Sequence, residues 1–131
     1  MKKGILSIAV VAILALAGCK EGVKSEKKVT SIVSQHGELA TLNFGVRGNC
    51  AMCKQTIEKA VNGVEGVASA NWDVNEKKIE VVLDPTITNE MAIHNAIAAS
   101  GYDTEKVTAS GEAYTELPGC CQYDHEMEMG I

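Results

Sequence analysis

Two cysteines three positions apart are the residues of this sequence best suited to chemistry, in the run Cys50-Ala51-Met52-Cys53. A cysteine in the first turn of a helix has its thiolate favoured by the helix dipole and by unpaired backbone N–H groups, and Lys54 adds a positive charge. Two thiolates at this spacing on an exposed loop suit a soft ion that accepts two or three sulfur ligands, as copper(I) and mercury(II) do. Zinc(II) prefers four ligands, of which the pair supplies half.

A second group of soft donors lies close to the C-terminus, consisting of Cys120, Cys121, His125, Met127 and Met129. Thioethers and imidazole suit copper, and methionines cannot be lost to disulfides outside the cytosol. The sequence leaves four outcomes open for this tail. It completes a three- or four-coordinate site with the loop, forms its own site, forms disulfides with the loop, or stays disordered and acidic.

The N-terminus predicts export. Lys2 and Lys3 precede an apolar run over 5–17 that is too short to span a bilayer, as in a secretory signal peptide. The run ends in Leu16-Ala17-Gly18-Cys19, which resembles the bacterial lipobox and implies that Cys19 is acylated as the new N-terminus. We therefore expect a signal peptide at 1–18 and a protein tethered to a bacterial membrane, on its periplasmic or surface face. An ordinary signal peptide with an incidental Cys19 is the alternative.

Composition narrows the range of partners. The net charge of −5 and only five aromatic residues (one Trp, three Tyr, one Phe) argue against nucleic acid. Residues 19–37 are rich in Lys, Glu, Ser and Gly without a sustained apolar period, which predicts a flexible, disordered tether.

The remaining residues alternate between strand-like and helical patterns. They predict strands over 39–46, 67–74, 78–83 and 102–107 and helices over 52–62 and 89–100. The second helix has Thr88 as its N-cap and His94 as a surface or boundary residue that is not a ligand. This order is α+β and specifies a ferredoxin-like βαββαβ sandwich over 38–108, an antiparallel sheet with two helices on one face. We expect residues 109–131 to form a disordered tail.

The motif and these elements together resemble the heavy-metal-associated domain family of copper chaperones, periplasmic mercury carriers and metal-binding domains of transport ATPases. The resemblance covers about 38–108 and rests on Val46 to Cys53, the helix through Ile57, Gly66-Val67, and Ile97 to Gly101-Tyr102. It implies the same sandwich fold, Cys50 and Cys53 as the metal ligands, and Tyr102 as a residue that shields the site.

The chain departs from the family pattern at one place. The usual Gly-Met-Thr-Cys approach is shortened to Gly48-Asn49-Cys50, so the buried methionine that anchors the loop is missing. Met52 lies inside the motif instead, and the sequence does not say whether it turns inward as an anchor or outward toward the metal. Asn49 stands where zinc-preferring relatives tend to carry a carboxylate, and this difference slightly favours copper over zinc as the bound ion.

The sequence therefore predicts a non-enzymatic, lipid-anchored copper(I) chaperone or scavenger that passes its metal to a transport or efflux partner. A mercury(II) carrier is the nearest alternative. Three alternatives from other functional classes stay open. The protein is a thiol–disulfide redox protein, its Cys50 and Cys53 form a disulfide, or it is a tethered adaptor whose cysteines are structural. The hairpin that directly follows the first helix speaks against a thioredoxin-like enzyme.

Overall fold

The computed structural model describes residues 37–131. They form a three-stranded antiparallel sheet and helices that lie between and after its strands in the chain. The elements in chain order are β1 (Ala40–Gly45), α1 (Ala51–Asn62), β2 (Val67–Asp73), β3 (Lys78–Leu83), α2 (Glu90–Ala99), α3 (Gly111–Thr115) and a 3₁₀ turn (Gly119–Cys121). The expected signal segment at 1–18, Cys19 and all of the tether except Gly37 lie outside the described residues. Within 37–131, no helix is both long and apolar enough to cross a membrane.

The central strand of the sheet is β3, which pairs antiparallel with β1 on one side and β2 on the other. Its side chains alternate as expected for a half-buried strand: Ile79, Val81 and Leu83 are buried, whereas Glu80 is exposed. Ile79 lies opposite Phe44 of β1 and Trp72 of β2, so one row of large apolar side chains crosses the sheet. The predicted ferredoxin-like fold class is confirmed.

The two long helices pack against each other, and their apolar faces complete the core. In α1 the buried residues are Cys53, Ile57 and Val61, which recur every four positions and therefore share one face. Helix α2 buries Ile93 and Ile97 in the same way. Because Cys53 belongs to this buried stripe, the position of one motif cysteine is fixed by the core.

The N-cap of α2 is Asn89 and not Thr88 as predicted. The Asn89 side chain accepts a hydrogen bond of 3.1 Å from the backbone N–H of Ala92. Thr88 is buried in the preceding turn, where its own N–H donates to the Asp84 carbonyl. An Asx residue is the stronger cap, and the turn after β3 places it at that position.

The closing strand predicted over 102–107 is reduced to one bridge, between Val46 and Thr104. Two backbone hydrogen bonds hold it beside the end of β1, from Arg47 N–H to the Asp103 carbonyl and from Glu105 N–H to the Gly45 carbonyl. The chain then turns, because the Thr104 N–H donates to the Val107 carbonyl. The segment has the expected position at the edge of the sheet but is too tightly turned to be a strand.

The C-terminal tail is ordered, and the prediction that it is disordered is wrong. Leu117, Cys121 and Tyr123 are buried in the same core cluster as the sheet and helices. Helix α3 begins with a side-chain cap, in which Ser110 Oγ accepts from the Ala113 N–H. The apolar area that these residues bury offsets the entropy of ordering the tail.

His94 is fully buried, which corrects the expectation that it lies at the surface or at its boundary. Its ring packs on Phe44 with centroids 4.0 Å apart, and Nδ1 lies 2.7 Å from the hydroxyl of Thr104. Burial lowers the pKa of His94, an effect that exceeds the opposing influence of Glu90. The residue therefore joins α2 to the closing segment.

Candidate metal centre

Three cysteine sulfurs lie together at the end of the sheet where β1 leads into α1. The Sγ atoms of Cys50, Cys53 and Cys121 are all within 4.8 Å of one another, and those of Cys50 and Cys53 are 3.5 Å apart. Cys53 and Cys121 are fully buried, whereas Cys50 is half-buried. The cluster is thus reached from solvent on the Cys50 side.

The loop that carries Cys50 rests on Trp72. The Trp72 indole N–H donates to the Val46 carbonyl at 3.1 Å, inside the core. Gly48 passes directly over the ring, since a Cβ there would lie 2.9 Å from Trp72 Cη2. The backbone N–H of Asn49 then donates to Cys53 Sγ at 3.3 Å. Trp72 therefore anchors the loop in a chain that lacks the family's buried methionine.

Helix geometry, and not a neighbouring cation, activates Cys50. Cys50 is the N-cap of α1, and the backbone N–H and the thiol of Cys53 lower the pKa of Cys50 from 9.0 to about 7. The predicted contribution of Lys54 is not observed. Lys54 Nζ instead pairs with Glu58 at 2.6 Å and donates to the Trp72 carbonyl at 2.6 Å.

Cys121 and Tyr102, which are buried beside Cys53, have raised pKa values, whereas that of Cys50 is lowered. Burial and the adjacent Cys53 sulfur raise the pKa of the Cys121 thiol to about 12. Burial likewise raises the pKa of Tyr102 far above its ordinary value, with further contributions from the Cys121 and Cys53 sulfurs. Without an ion, Cys121 and Tyr102 are therefore both uncharged beside Cys53.

The tail is held over the loop by side chains of the domain. Asn49 Nδ2 donates to the carbonyls of Cys120 and Gln122, on either side of Cys121, at 3.4 and 3.2 Å. Arg47 Nε donates to the Met127 carbonyl at 2.7 Å. These contacts fix the backbone around Cys121 independently of any ion.

A second set of contacts ties the tail to the segment that carries Tyr102. The Tyr123 hydroxyl accepts from the Asp103 N–H and donates to the Gly101 carbonyl, and the Tyr123 ring stacks on that of Tyr102 with centroids 5.8 Å apart. Asp103 also pairs with Arg47 at 3.3 Å and with His125 at 2.7 Å. Burial alone would raise the pKa of Asp103, but His125 and the Ala109 N–H outweigh burial and lower it.

The other donors predicted from sequence occupy different places. Cys120 is exposed, and its sulfur is 4.0 Å from that of Cys121 but outside the three-sulfur group. His125 is engaged by Asp103. Met129 packs against Gly45, where a Cβ would lie 2.5 Å from the methionine Cβ. Met52 turns outward and is 50% exposed.

One more group of ligand-type atoms occurs in the part of the chain that the structure describes, formed by Glu90, His94 and Glu105. Lys106 Nζ lies 2.6 Å from Glu90 Oε1 and supplies the positive charge there. We therefore interpret this group as an ion-pair network and not as a metal centre.

Sequence reasoning missed the residues that dock the tail, chiefly Asn49, Arg47 and Tyr123. A signal for Tyr123 is its spacing of two residues from Cys121, which places both side chains on one side of an extended segment. Asn49 and Arg47 carry no such signal, because their tail partners are backbone carbonyls more than 70 residues away, at separations of 73 and 80 residues.

The cysteine loop, α1 and α2 all lie within a segment that matches one known protein family. Residues 49–103 match the model of the heavy-metal-associated domain. The copper chaperone CopZ of Staphylococcus aureus (strain JH9) is 31% identical over 55 residues, which are 42% of this chain and 81% of CopZ. The solved structure of oxidised MerP from Ralstonia metallidurans CH34 is similar with a TM-score of 0.50 and 28% identity, over 52% of this chain and 96% of MerP.

Larger transport proteins contain a similar segment. The copper-transporting ATPase RAN1 of Arabidopsis thaliana is 34% identical over 82 residues, which are 62% of this chain but only 8% of the ATPase. The chain thus spans less than a tenth of that relative's length. The match over 49–103 and the coverage of most of CopZ show that the chain belongs to the heavy-metal-associated domain family, whose members are metal-binding domains and metallochaperones and not enzymes.

Proposed function

We propose that the protein binds a soft metal ion, copper(I) foremost, through the thiolates of Cys50 and Cys53, and serves as a lipid-anchored chaperone or scavenger. The observation that carries this proposal is the pair of sulfurs 3.5 Å apart between β1 and α1. One is half-buried with a pKa of about 7, and the other is fixed on the buried face of α1. Thiolate donors favour copper(I) and mercury(II) over harder ions.

The donor set fits copper(I) better than zinc(II). Structural zinc sites are almost always four-coordinate, and the loop offers two sulfurs. Asn49 also brings an amide and not a carboxylate to the loop, and this amide holds the tail. The copper chaperone and the copper-transporting ATPase that resemble this chain support the same ion.

Delivery to a partner is the second part of the proposal. Metal passes between thiolate sites by ligand exchange, which requires an exposed ligand, and Cys50 is reached from solvent. A metal-binding domain of a transport ATPase is a suitable recipient, because such a domain is similar to this chain and would offer the same pair of thiolates. A lipid-anchored Cys19 and a flexible tether over 19–37 would keep the domain near a membrane transporter.

Mercury(II) is the second candidate cargo, and the similarity to MerP supports it. The same two sulfurs would hold it, so ligand identity does not separate the two ions. The two ions can be distinguished by adding one equivalent of each to the protein in a buffer that contains thiol at cellular concentration. Mass spectrometry then shows which ion the protein has bound.

The test of the proposal is an anaerobic copper(I) titration of the full chain against a chromogenic copper(I) chelator. Cys50→Ser and Cys53→Ser are each expected to weaken copper(I) binding at least a hundredfold, since each removes one of two thiolates. Cys120→Ser is the matched control and should leave binding unchanged. Wild-type affinity in both motif variants would overturn the proposal.

The anchor is tested separately. Mass spectrometry of the protein from membranes should show a diacyl or triacyl modification on Cys19, and Cys19→Ala should release the protein into the soluble exported fraction. An unmodified chain beginning elsewhere would contradict the lipoprotein assignment without affecting the metal site.

A further inference from the structure

We propose that Cys121 is a third thiolate ligand, so that the C-terminal tail converts the exposed two-sulfur loop into a closed three-sulfur site for a trigonal soft cation. The inference rests on the proposed function of Cys50 and Cys53. It adds to that function a ligand from outside the segment matched by the family, which ends at residue 103.

The geometry of the three sulfurs suits such an ion. A metal about 2.3 Å from each of three sulfurs requires sulfur–sulfur separations of about 4 Å. The Sγ atoms of Cys50, Cys53 and Cys121 all lie within 4.8 Å of one another, and those of Cys50 and Cys53 are 3.5 Å apart. Only small side-chain adjustments are needed to surround one ion, and copper(I) and mercury(II) both accept three thiolates.

An unpartnered buried group points to the same place. The Tyr102 hydroxyl is fully buried and has no conventional hydrogen-bond partner among the described residues. It lies against the sulfurs of Cys53 and Cys121. A thiol is a weak acceptor, whereas a metal-bound thiolate carries negative charge and accepts a charge-assisted hydrogen bond. Binding of an ion would therefore satisfy the Tyr102 hydroxyl.

The position of Cys121 is prepared in advance by the fold. Asn49 bonds the carbonyls on both sides of it, and the Tyr123 hydroxyl joins two backbone groups of the segment that carries Tyr102. A ligand held in place before the ion arrives loses less conformational freedom on binding. Cys120, the adjacent residue, is exposed, and its sulfur is outside the three-sulfur group.

The third sulfur would also control transfer. It occupies a third coordination position on the ion, so a partner's thiolate that approaches from the Cys50 side must displace it, and release requires the tail to give way. In the exchange, the bond from the ion to Cys121 breaks and a bond to the partner's sulfur forms. The proton lost by the incoming thiol goes to Cys121, and no electron changes hands. The tail thus favours retention of the ion over its transfer.

The experiment is X-ray absorption of the full chain loaded anaerobically with one equivalent of copper(I), with chelator competition on the same samples. Wild type is expected to show three sulfur ligands. Cys121→Ala should show two sulfurs at a shorter distance and at least a tenfold higher dissociation constant, whereas Cys120→Ala should match wild type. Because Cys121 is buried, urea unfolding of the ion-free variant, followed by Trp72 fluorescence, checks that it is folded.

The outcomes separate this inference from the function on which it rests. Two sulfurs in wild type would overturn the third ligand whatever the variants do. Unchanged coordination and affinity in Cys121→Ala, with binding lost in Cys50→Ser and Cys53→Ser, would overturn it and leave the proposed function intact. Full binding in all three variants would overturn both.

Discussion

The hydroxyl of Tyr123 accepts a hydrogen bond of 2.8 Å from the backbone N–H of Asp103. The same hydroxyl donates to the Gly101 carbonyl at 3.0 Å, so one tail side chain satisfies two buried backbone groups of the segment after α2. The tail is consequently part of the folded domain and not an appendage. The polar contacts that dock it can be removed one at a time.

Tyr123→Phe is expected to destabilise the ion-free protein by about 2–4 kcal/mol, because it leaves a buried N–H and a buried carbonyl without their partner. The matched control is Tyr102→Phe, the same chemical change at the other end of the stacked pair. The Tyr102 hydroxyl has no conventional hydrogen-bond partner within residues 37–131, so its removal should leave the free energy of unfolding unchanged or slightly higher. Urea unfolding followed by Trp72 fluorescence measures both, and equal losses in the two variants would contradict the assignment.

Asn49→Ala is expected to loosen the tail locally. The two bonds from Asn49 to the carbonyls of Cys120 and Gln122 are exposed, and together they contribute about 1.4 kcal/mol, which corresponds to a tenfold change in the opening equilibrium. Alkylation of buried Cys121 in the folded, reduced, ion-free protein should therefore proceed about ten times faster.

The control for this change is Asn62→Ala, at the exposed end of α1. It should leave the alkylation rate of Cys121 at the wild-type value. If Asn49→Ala also leaves that rate unchanged, Asn49 does not hold the tail.

The pH dependence of stability is expected to include a contribution from His94. Burial lowers the pKa of His94 below its ordinary value of 6.5, although Glu90 and Glu105 favour its charged form; Lys106 acts with burial. The unfolded chain therefore takes up a proton near pH 6.5 that the folded protein resists. Stability is therefore retained above pH 6.5 and falls as the pH drops below it.

His94→Phe keeps an aromatic ring against Phe44 but removes the titration. The loss of unfolding free energy between pH 7 and pH 5 should be smaller in this variant than in wild type. The difference between the two curves isolates His94 from His36 and His125, which both proteins share. Parallel curves would show that His94 titrates normally in the folded state.

The parts of the molecule that follow from local patterns were predicted well. The β2–β3 hairpin and α1 lie where apolar alternation and a four-residue spacing place them, because each pattern is decided by neighbours in sequence. The position of Cys50 and Cys53 follows for the same reason. Metal ligation by the cysteines themselves remains a proposal.

The tail could not be predicted in this way. Leu117, Cys121 and Tyr123 do not share one helical or strand period, and the two-residue spacing of Cys121 and Tyr123 is too short a pattern to decide by itself. Their burial depends on a surface built from residues far away in the chain. His94 was misjudged because a polar residue on a mainly apolar helix reads as exposed, although His94 and Ala98 share the four-residue spacing of Ile93 and Ile97. Its buried position depends on Thr104, which only the folded chain brings near.

Gly101→Ala is expected to destabilise the protein through the contact between the end of α2 and α3. Gly101 has a φ of +99°, which side chains rarely adopt, and a Cβ there would lie 2.7 Å from the Ala113 carbonyl oxygen in α3. Backbone strain of this kind costs about 1–3 kcal/mol, and α3 must shift to relieve the clash. Both urea stability and resistance of the tail to proteolysis should therefore fall.

Gly111→Ala provides the matched control for Gly101→Ala, because Gly111 begins α3 and a Cβ there would meet no other part of residues 37–131 within 4 Å, apart from the adjoining chain and its own helix. Alanine there restricts the unfolded chain without strain, so stability should stay the same or rise by up to about 1 kcal/mol. The same substitution thus has opposite effects ten residues apart. If Gly101→Ala were as stable and as resistant to protease as Gly111→Ala, α3 would not pack against Gly101, and the tail would lose one of the contacts that place Cys121 beside Cys50 and Cys53.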